Sequence, residues 1–172
     1  MVDTSWLKIS KHGLYVLPAN AYIDPINPVD TAIITHGHAD HARAGHKHVI
    51  ATEQTLAIMS ARYGANFANS KTALTYNEQF RVGRVDVRLI PAGHVLGSAQ
   101  VVLEYANTKI IAAGDYKRRS DPTCLSFQVE QCDVFITEAT FGLPIFSHPE
   151  PEDEIIKLMQ VRDLFPERSI VI

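Results

Sequence analysis

The sequence predicts a sheet-rich domain of the α/β (α+β) class, and three observations carry that prediction. Most of the 172 residues fall into short apolar runs separated by Gly, Pro, Asn and Asp, as strands and their turns do. Helical spacing of apolar residues is confined to two segments. The chain is 46% hydrophobic and 20% charged, which is typical of globular proteins, and its length suits one domain.

Nine strands are predicted from their apolar content and the turn residues beside them. In chain order they are residues 13–17, 21–23, 31–35, 48–51, 73–76, 85–90, 99–105, 109–113 and 134–137. The sixth alternates apolar and polar residues, as a half-buried strand does. Asn107 and Thr108 separate two apolar runs and are predicted to form the turn of an antiparallel hairpin.

Residues 55–63 and 151–165 have the apolar spacing of helices. Thr55 is the predicted N-cap of the first helix, and Gly64 is its predicted stop. Pro151 opens the second helix and is followed by three acidic residues, which the helix dipole favours in a first turn. The helices therefore contribute a minor part of a domain built mainly from sheet.

Charge and composition narrow the functional classes. A net charge of −3 excludes a protein that coats nucleic acid through bulk positive charge. An enzyme that binds phosphate through metal ions needs no high pI, and Lys117, Arg118 and Arg119 form a local cationic cluster. The sequence has no secretory signal and no membrane-length apolar run, and Cys124 and Cys132 lack zinc-knuckle spacing. A cytoplasmic protein with reduced thiols and no membrane partner is expected.

The run 36–41, with sequence His-Gly-His-Ala-Asp-His, directly follows a predicted apolar strand. His36 and His38 point the same way in an extended segment and can share one ion, while Asp40 and His41 can face a second. Imidazole and carboxylate together suit zinc, with manganese or iron as alternatives. A chance histidine-rich turn is the competing interpretation, and four ligand-type side chains in six residues weigh against it.

His94 and Asp115 are the further candidate ligands. Each follows an apolar strand, and each has a glycine immediately before it, where the backbone can approach an ion closely. The remaining histidines, predicted to be surface or packing residues, are His12, His46, His48 and His148.

Three motifs in chain order, His-x-His-x-Asp-His, Gly-His-x-x-Gly-Ser and Gly-Asp, resemble the metallo-β-lactamase superfamily. The longer phrases that are similar to its β-CASP nuclease branch are residues 92–100, 114–117 and 137–142. The phrases that resemble the bacterial DNA ligase-associated exonucleases are residues 22–25, 41–43 and 141–144.

This resemblance implies an αββα sandwich, incomplete in this chain, with two divalent metal ions at one edge of the paired sheets. Zinc is the first expectation for both ions. The implied ligands are His36, His38 and His94 for the first ion and Asp40 and His41 for the second, with Asp115 bridging the two.

The resemblance also assigns supporting and catalytic carboxylates. Asp24 matches an aspartate that supports the metal-binding loop from outside the ligand set. Glu138 matches the acidic residue that opens the β-CASP insertion and partners a later histidine. The implied catalytic carboxylates are Asp40, Asp115 and Glu138.

Two segments follow from the same resemblance, residues 1–145 as the metallo-β-lactamase-like portion and 146–172 as the start of a β-CASP-like region. The family supplies a last metal histidine from its C-terminal part, and no residue after His148 can replace it. A second metal site short of one ligand is therefore expected. Residues 169–172 have the composition of a buried strand, which indicates a fragment, or a shortened form that has lost activity or needs a partner chain; an ordinary edge strand is the alternative.

The implied activity is phosphodiester hydrolysis by a DNA exonuclease that acts in repair beside a DNA ligase and a helicase. An RNA nuclease of the 3′-end-processing kind and a metal-binding pseudoenzyme are the alternatives. A small-molecule hydrolase is disfavoured by the phrase 137–142. Arg43, Lys117 and Arg118 are candidate phosphate contacts, and an ordinary solvated surface is the alternative for each.

Overall fold

The structure is a computed structural model that describes residues 2–140, 142–143, 145–146 and 149–169. The chain divides into two units, Met1–Glu138 and Ala139–Ile172. The described part of the first unit contains all eleven strands assigned here and one α-helix, and that of the second contains one α-helix.

The first sheet has six strands in sequence order, and its later part is parallel. β1 to β3 pair antiparallel, whereas β3 to β6 pair parallel, so the carboxyl ends of the later strands meet at one edge of the sheet. The strands β1 to β6 are Leu7–Ser10, Gly13–Val16, Ala21–Ile23, Thr31–Ile33, His46–Thr52 and Ala68–Leu74.

The second sheet has the strand order β11-β10-β9-β8-β7. β7 to β10 pair antiparallel in succession, and β11 is parallel to β10. β8, β10 and β11 therefore run the same way and end at the same edge. The strands β7 to β11 are Phe80–Val82, Val85–Pro91, Ala99–Tyr105, Thr108–Ala112 and Val134–Ile136.

Apolar side chains from both sheets form one buried core between them, with Ile33 and Ile50 from the first sheet and Leu89 and Leu103 from the second. The other face of the first sheet is covered by α1, Glu53–Tyr63, which packs through the fully buried Met59. Two packed sheets with a flanking helix confirm the predicted α/β class. In residues 2–138, which are described throughout, α1 is the single α-helix.

The strand predictions succeed where the apolar pattern is strong and miss where it is weak. Residues 21–23 and 99–105 are strands with the predicted bounds. The predicted strand 73–76 is wrong, because the strand there is β6, which ends at Leu74. β6 lies at a sheet edge and its middle residues are mostly exposed and polar, so the alternation that signals a strand is lost. β1 and β7 were not predicted from the sequence.

The predicted positions of the hairpin turn and of the α1 N-cap are wrong by one and three residues, respectively. The hairpin turn is formed by Ala106 and Asn107, whose φ angles are 49° and 58°, and Thr108 already pairs with Tyr105. Positive φ at both central positions is typical of the two-residue turn that matches strand twist. The N-cap of α1 is Thr52, whose hydroxyl accepts a hydrogen bond from the Thr55 backbone N–H.

The stop of α1 at Gly64 is confirmed. In the second unit, α2 spans Pro151–Leu164 with acidic residues in its first turn, as predicted. His148, the residues Phe141 and Pro144 of the family phrases, and the strand expected near the chain end, from 170 onward, lie outside the described residues. Among the described helices, neither has the length and apolar content needed to cross a membrane.

Candidate metal centre

The ligand-type side chains are gathered at one edge of the paired sheets. Asp24 follows β3 and His36 follows β4, and these neighbouring strands are parallel. His94 follows β8 and Asp115 follows β10, which run the same way in the second sheet. Loops at the carboxyl ends of strands on a rigid scaffold hold side chains in fixed positions.

Close backbone contact joins the two sheets at this edge. The Ala99 N–H donates to the Thr35 carbonyl at 2.8 Å. Gly114 lies against Thr35, and a Cβ atom on Gly114 would come within 2.7 Å of the Thr35 hydroxyl oxygen. Glycine at this position, with a φ of +57°, therefore lets the strand end that carries Asp115 reach the histidine motif.

Four of the predicted ligands form a first cluster. His38 Nδ1 lies 3.0 Å from His36 Nε2 and 3.1 Å from His94 Nε2. The Asp115 Oδ2 atom lies 3.9 Å from His36 Nε2 and 3.8 Å from His94 Nε2. His36 is fully buried, His38 is exposed, and His94 and Asp115 are half-buried.

These distances fit a bound metal ion. Zinc binds imidazole nitrogen at about 2.0–2.1 Å, so tetrahedral ligand atoms lie about 3.4 Å apart. The four contacts of the cluster, from 3.0 to 3.9 Å, bracket that separation. Three imidazoles and one carboxylate are also a donor set that zinc, manganese and iron accept. The described residues can hold a divalent ion here.

The pairwise contacts of His41 define a second cluster, which consists of His41, Asp40 and Asp115 and so shares Asp115 with the first. His41 Nε2 lies 3.4 Å from Asp115 Oδ1 and 3.7 Å from Asp40 Oδ2. The two Asp115 oxygens thus contact different histidines, with Oδ2 near His36 and His94 and Oδ1 near His41. The Asp40 side chain is 73% exposed, so it forms the solvent side of the cluster.

Asp24 supports the histidines from behind. Its Oδ2 atom lies 2.8 Å from His41 Nδ1, and both of its oxygens accept hydrogen bonds from Thr35. Asp24, His36 and His41 also lie close enough together to hold an ion. Because the Asp24 oxygens are already engaged by protein donors, we assign Asp24 to orienting ligands rather than to binding metal.

Burial and neighbouring charge shift the pKa values of the histidines in different directions. Burial lowers the pKa of His36 to about 3, and the surrounding histidines act in the same direction. Burial and His38 also lower the pKa of His94. The hydrogen bond to Asp24 raises the pKa of His41. Since a metal binds neutral imidazole, His36 and His94 are already in the form that binds metal at neutral pH.

Helix α1 positions two of the ligand loops, which sequence reasoning missed. The hydroxyls of Thr52 and Thr55 both donate to the Gly97 carbonyl, at 2.7 and 3.1 Å, and so hold the loop that carries His94. Arg62 donates to the Gly37 carbonyl at 2.6 Å inside the histidine motif. A threonine pair at a helix start is an ordinary capping signal, so the sequence gives no separate indication of this second role.

The candidate phosphate contacts are placed differently from one another. The Lys117 ammonium forms an ion pair with Asp121 at 2.8 Å. Arg118 lines a cavity of about 510 Å³ together with Phe127. Arg43 is exposed two residues after His41. Glu138 follows β11 and is near enough to His94 to raise the pKa of that imidazole electrostatically, while its predicted partnership with a later histidine stays a prediction.

His46 and His48 lie outside the clusters, as predicted. His46 is buried and its Nδ1 accepts from the Val29 N–H at 3.2 Å. His48 contacts the hydroxyls of Ser70 and Thr72 at 2.6 and 3.2 Å. Cys124 and Cys132 are free thiols, also as predicted.

Two packed sheets with a histidine and aspartate centre at one edge define a metallo-β-lactamase-type protein. Residues 1–166 match the beta-lactamase superfamily domain, and the chain belongs to that family. Of the solved structures, a protein of unknown function from Enterococcus faecalis shares the fold, with a TM-score of 0.52, 14% identity, and coverage of 77% of this chain and 38% of that chain.

Three relatives are consistent with membership of the β-CASP branch of the metallo-β-lactamase superfamily. A probable DNA ligase from Opitutus terrae is 31% identical over 80% of this chain and 14% of its own length. Endoribonuclease ysh-1 from Neurospora crassa is 34% identical over 83% of this chain and 21% of its own length. Cleavage and polyadenylation specificity factor 73 from Drosophila melanogaster is 36% identical over 60% of this chain and 15% of its own length. The chain thus spans about a fifth or less of each relative.

Proposed function

We propose that the protein is a metal-dependent nuclease that hydrolyses phosphodiester bonds. The observation that carries this proposal is the pair of clusters that share Asp115, one on each of its oxygens. Two adjacent cation sites at a partly exposed edge suit a substrate whose reacting group is a negatively charged phosphate. The relatives named as endoribonucleases support the same class of reaction.

The first ion would be held by His36, His38 and His94. The second ion would be held by His41 and Asp40, and Asp115 would contribute to both sites. Divalent ions bound there supply an acidified water and neutralise charge on the phosphate oxygens. Zinc is the proposed metal, with manganese and iron as alternatives that accept the same donors.

Asp40 is the group we assign to proton handling. Its carboxylate is 73% exposed and lies 3.7 Å from His41 Nε2, on the side that a substrate would approach. From this position Asp40 can orient the attacking water or accept its proton. Arg43, exposed nearby in the chain, is the proposed contact for a flanking phosphate.

DNA is the first substrate proposed, with exonucleolytic action beside a ligase. The motifs at residues 22–25 and 41–43 and the similarity to a probable DNA ligase support it. RNA is the second candidate, because several relatives are named as endoribonucleases and another as an RNase J-like protein.

Matched end-labelled DNA and RNA strands, incubated with the chain and Zn²⁺ or Mn²⁺, test the substrate. We expect the chain to release nucleotides from DNA, and we expect a chelator to stop this release.

A small phosphodiester, bis-p-nitrophenyl phosphate, tests whether the chain hydrolyses phosphodiester bonds when no nucleic acid has to be bound. His94→Ala should abolish hydrolysis and His48→Ala should preserve it. Hydrolysis of no phosphodiester at all, or equal activity in both variants, would overturn the proposal.

A further inference from the structure

Thr35 stands between the supporting carboxylate and the most deeply buried histidine of the centre. Its hydroxyl oxygen lies 2.6 Å from Asp24 Oδ2 and 3.0 Å from His36 Nδ1. Thr35 is 1% exposed and His36 is fully buried, so water has little access to these groups. Hydrogen bonds in such surroundings are strong, and leaving one unmade is costly.

The direction of each hydrogen bond follows from the single hydroxyl proton. The ionised Asp24 oxygen can only accept, so Thr35 donates to it. The hydroxyl oxygen is then left to accept, and the donor must be the His36 Nδ1–H. This arrangement fixes the proton of neutral His36 on Nδ1. Its Nε2 lone pair is therefore free to face the first cluster.

We infer that Thr35 is a positioning residue that transmits the orienting effect of Asp24 to His36. The same Asp24 oxygen contacts His41 Nδ1 directly at 2.8 Å. The Asp24 carboxylate thus sets the tautomer of one histidine in each cluster. It acts on His36 through Thr35 and on His41 directly. This inference rests on the proposed metal centre for its purpose, although the tautomer itself does not require bound metal.

Thr35 also contacts the loop of the bridging ligand. Its hydroxyl, Cβ and Cγ2 atoms form the wall that leaves no room for a side chain at Gly114. Asp115 is the next residue, so the place of the shared carboxylate depends on the same threonine. A serine at position 35 would keep the hydroxyl but lose part of this wall, and a valine would keep the wall but lose the hydroxyl.

Long-range proton–nitrogen NMR of the metal-free chain tests the inference directly, because it reads the tautomer of each histidine. We expect His36 to carry its proton on Nδ1 in the wild type and in Thr35→Ser. In Thr35→Val the preference should be lost. A wild-type His36 with its proton on Nε2 would contradict the inference, and this result needs no variant to fold.

Zinc affinity, measured by competition with a chelator, provides the second readout. Loss of an outer partner of a metal histidine typically weakens binding by about 10- to 100-fold. Thr35→Val should fall in that range, and Thr35→Ser should recover most of the loss. Equal affinity in wild type and Thr35→Val would overturn the inference. A wild type that binds no zinc would instead overturn the proposed metal centre and leave the NMR test of the tautomer intact.

Discussion

Asp24 adopts a φ of 43°, a conformation that non-glycine residues rarely occupy. Aspartate tolerates it better than most side chains, and such strain is often found at functional sites. Here the turned backbone aims the carboxylate at both Thr35 and His41. The ligand candidates could be predicted from the sequence, because two histidines two residues apart at the end of a strand are a recognisable metal-binding pattern. The role of Thr35 could not be predicted, because it depends on the Asp24 carboxylate, which follows a different strand.

Gly114→Ala tests the close packing at Thr35. An added Cβ would meet the Thr35 side chain at 2.7 to 3.0 Å, so Thr35 must move and His36 loses its orientation. We expect zinc affinity to fall about tenfold. Chelator competition measures the change.

Gly64→Ala is the matched control, since Gly64 also has a positive φ and has open space around it. Both substitutions should lower the free energy of unfolding by about 1–3 kcal/mol through backbone strain. Gly64→Ala should leave zinc affinity unchanged. A similar loss of zinc affinity in both variants would mean that general destabilisation, not contact with Thr35, is responsible.

Glu130 gives a prediction for pH. Arg88 donates to both Glu130 oxygens, at 2.6 and 2.9 Å, and holds the pKa of Glu130 at about 2 against the opposing effect of burial. Because this pKa is below its ordinary value of 4.5, the ion pair stabilises the fold above that pH, and the stabilisation is lost as pH falls toward about 2. Urea unfolding between about pH 5.5 and 3 should show a shallower decline in Glu130→Gln than in wild type. Parallel declines would contradict this assignment.

At the scale of elements, the two sheets were largely predictable and their edges were not. β8 and β9 have strong apolar patterns that their buried positions explain. β6 is polar along most of its length because it is an edge strand with little of its surface in the core. The predicted cap of α1 is three residues too late because Thr52 and Thr55 are both hydroxyl residues. Only the hydrogen bond from the Thr55 backbone N–H to the Thr52 hydroxyl identifies Thr52 as the cap.

Thr52→Val tests the hydrogen bonds that connect the start of α1 to the loop that carries His94. The substitution removes an N-cap, worth about 1 kcal/mol, and one of two hydrogen bonds to the buried Gly97 carbonyl, worth about 1 kcal/mol more. We expect the free energy of unfolding, measured with urea on metal-free protein, to fall by about 2 kcal/mol. Thr52→Ser keeps the hydroxyl and should lose less than half of that. Equal losses of unfolding free energy in the two variants would show that the methyl group of Thr52, not its hydroxyl, stabilises this contact.

At the scale of the molecule, the topology determines where chemistry can occur. Strands β3 and β4 of the first sheet and β8, β10 and β11 of the second deliver their following loops to one edge, and every predicted metal ligand lies on those loops. The sequence could indicate the family through its motifs. It could not show how the ligands divide into two clusters, because that division depends on the packing of one sheet on the other.

Zinc binding by wild type and His94→Ala tests the central claim, that residues from both sheets form one metal centre. Equilibrium dialysis of metal-free chain measures it, with His48→Ala as a control whose side chain contacts Ser70 and Thr72 instead. The wild type and His48→Ala should bind zinc alike. His94→Ala should bind the first ion at least about 100-fold more weakly, since a direct ligand matters more than an outer partner. Unchanged zinc binding in His94→Ala would contradict the account.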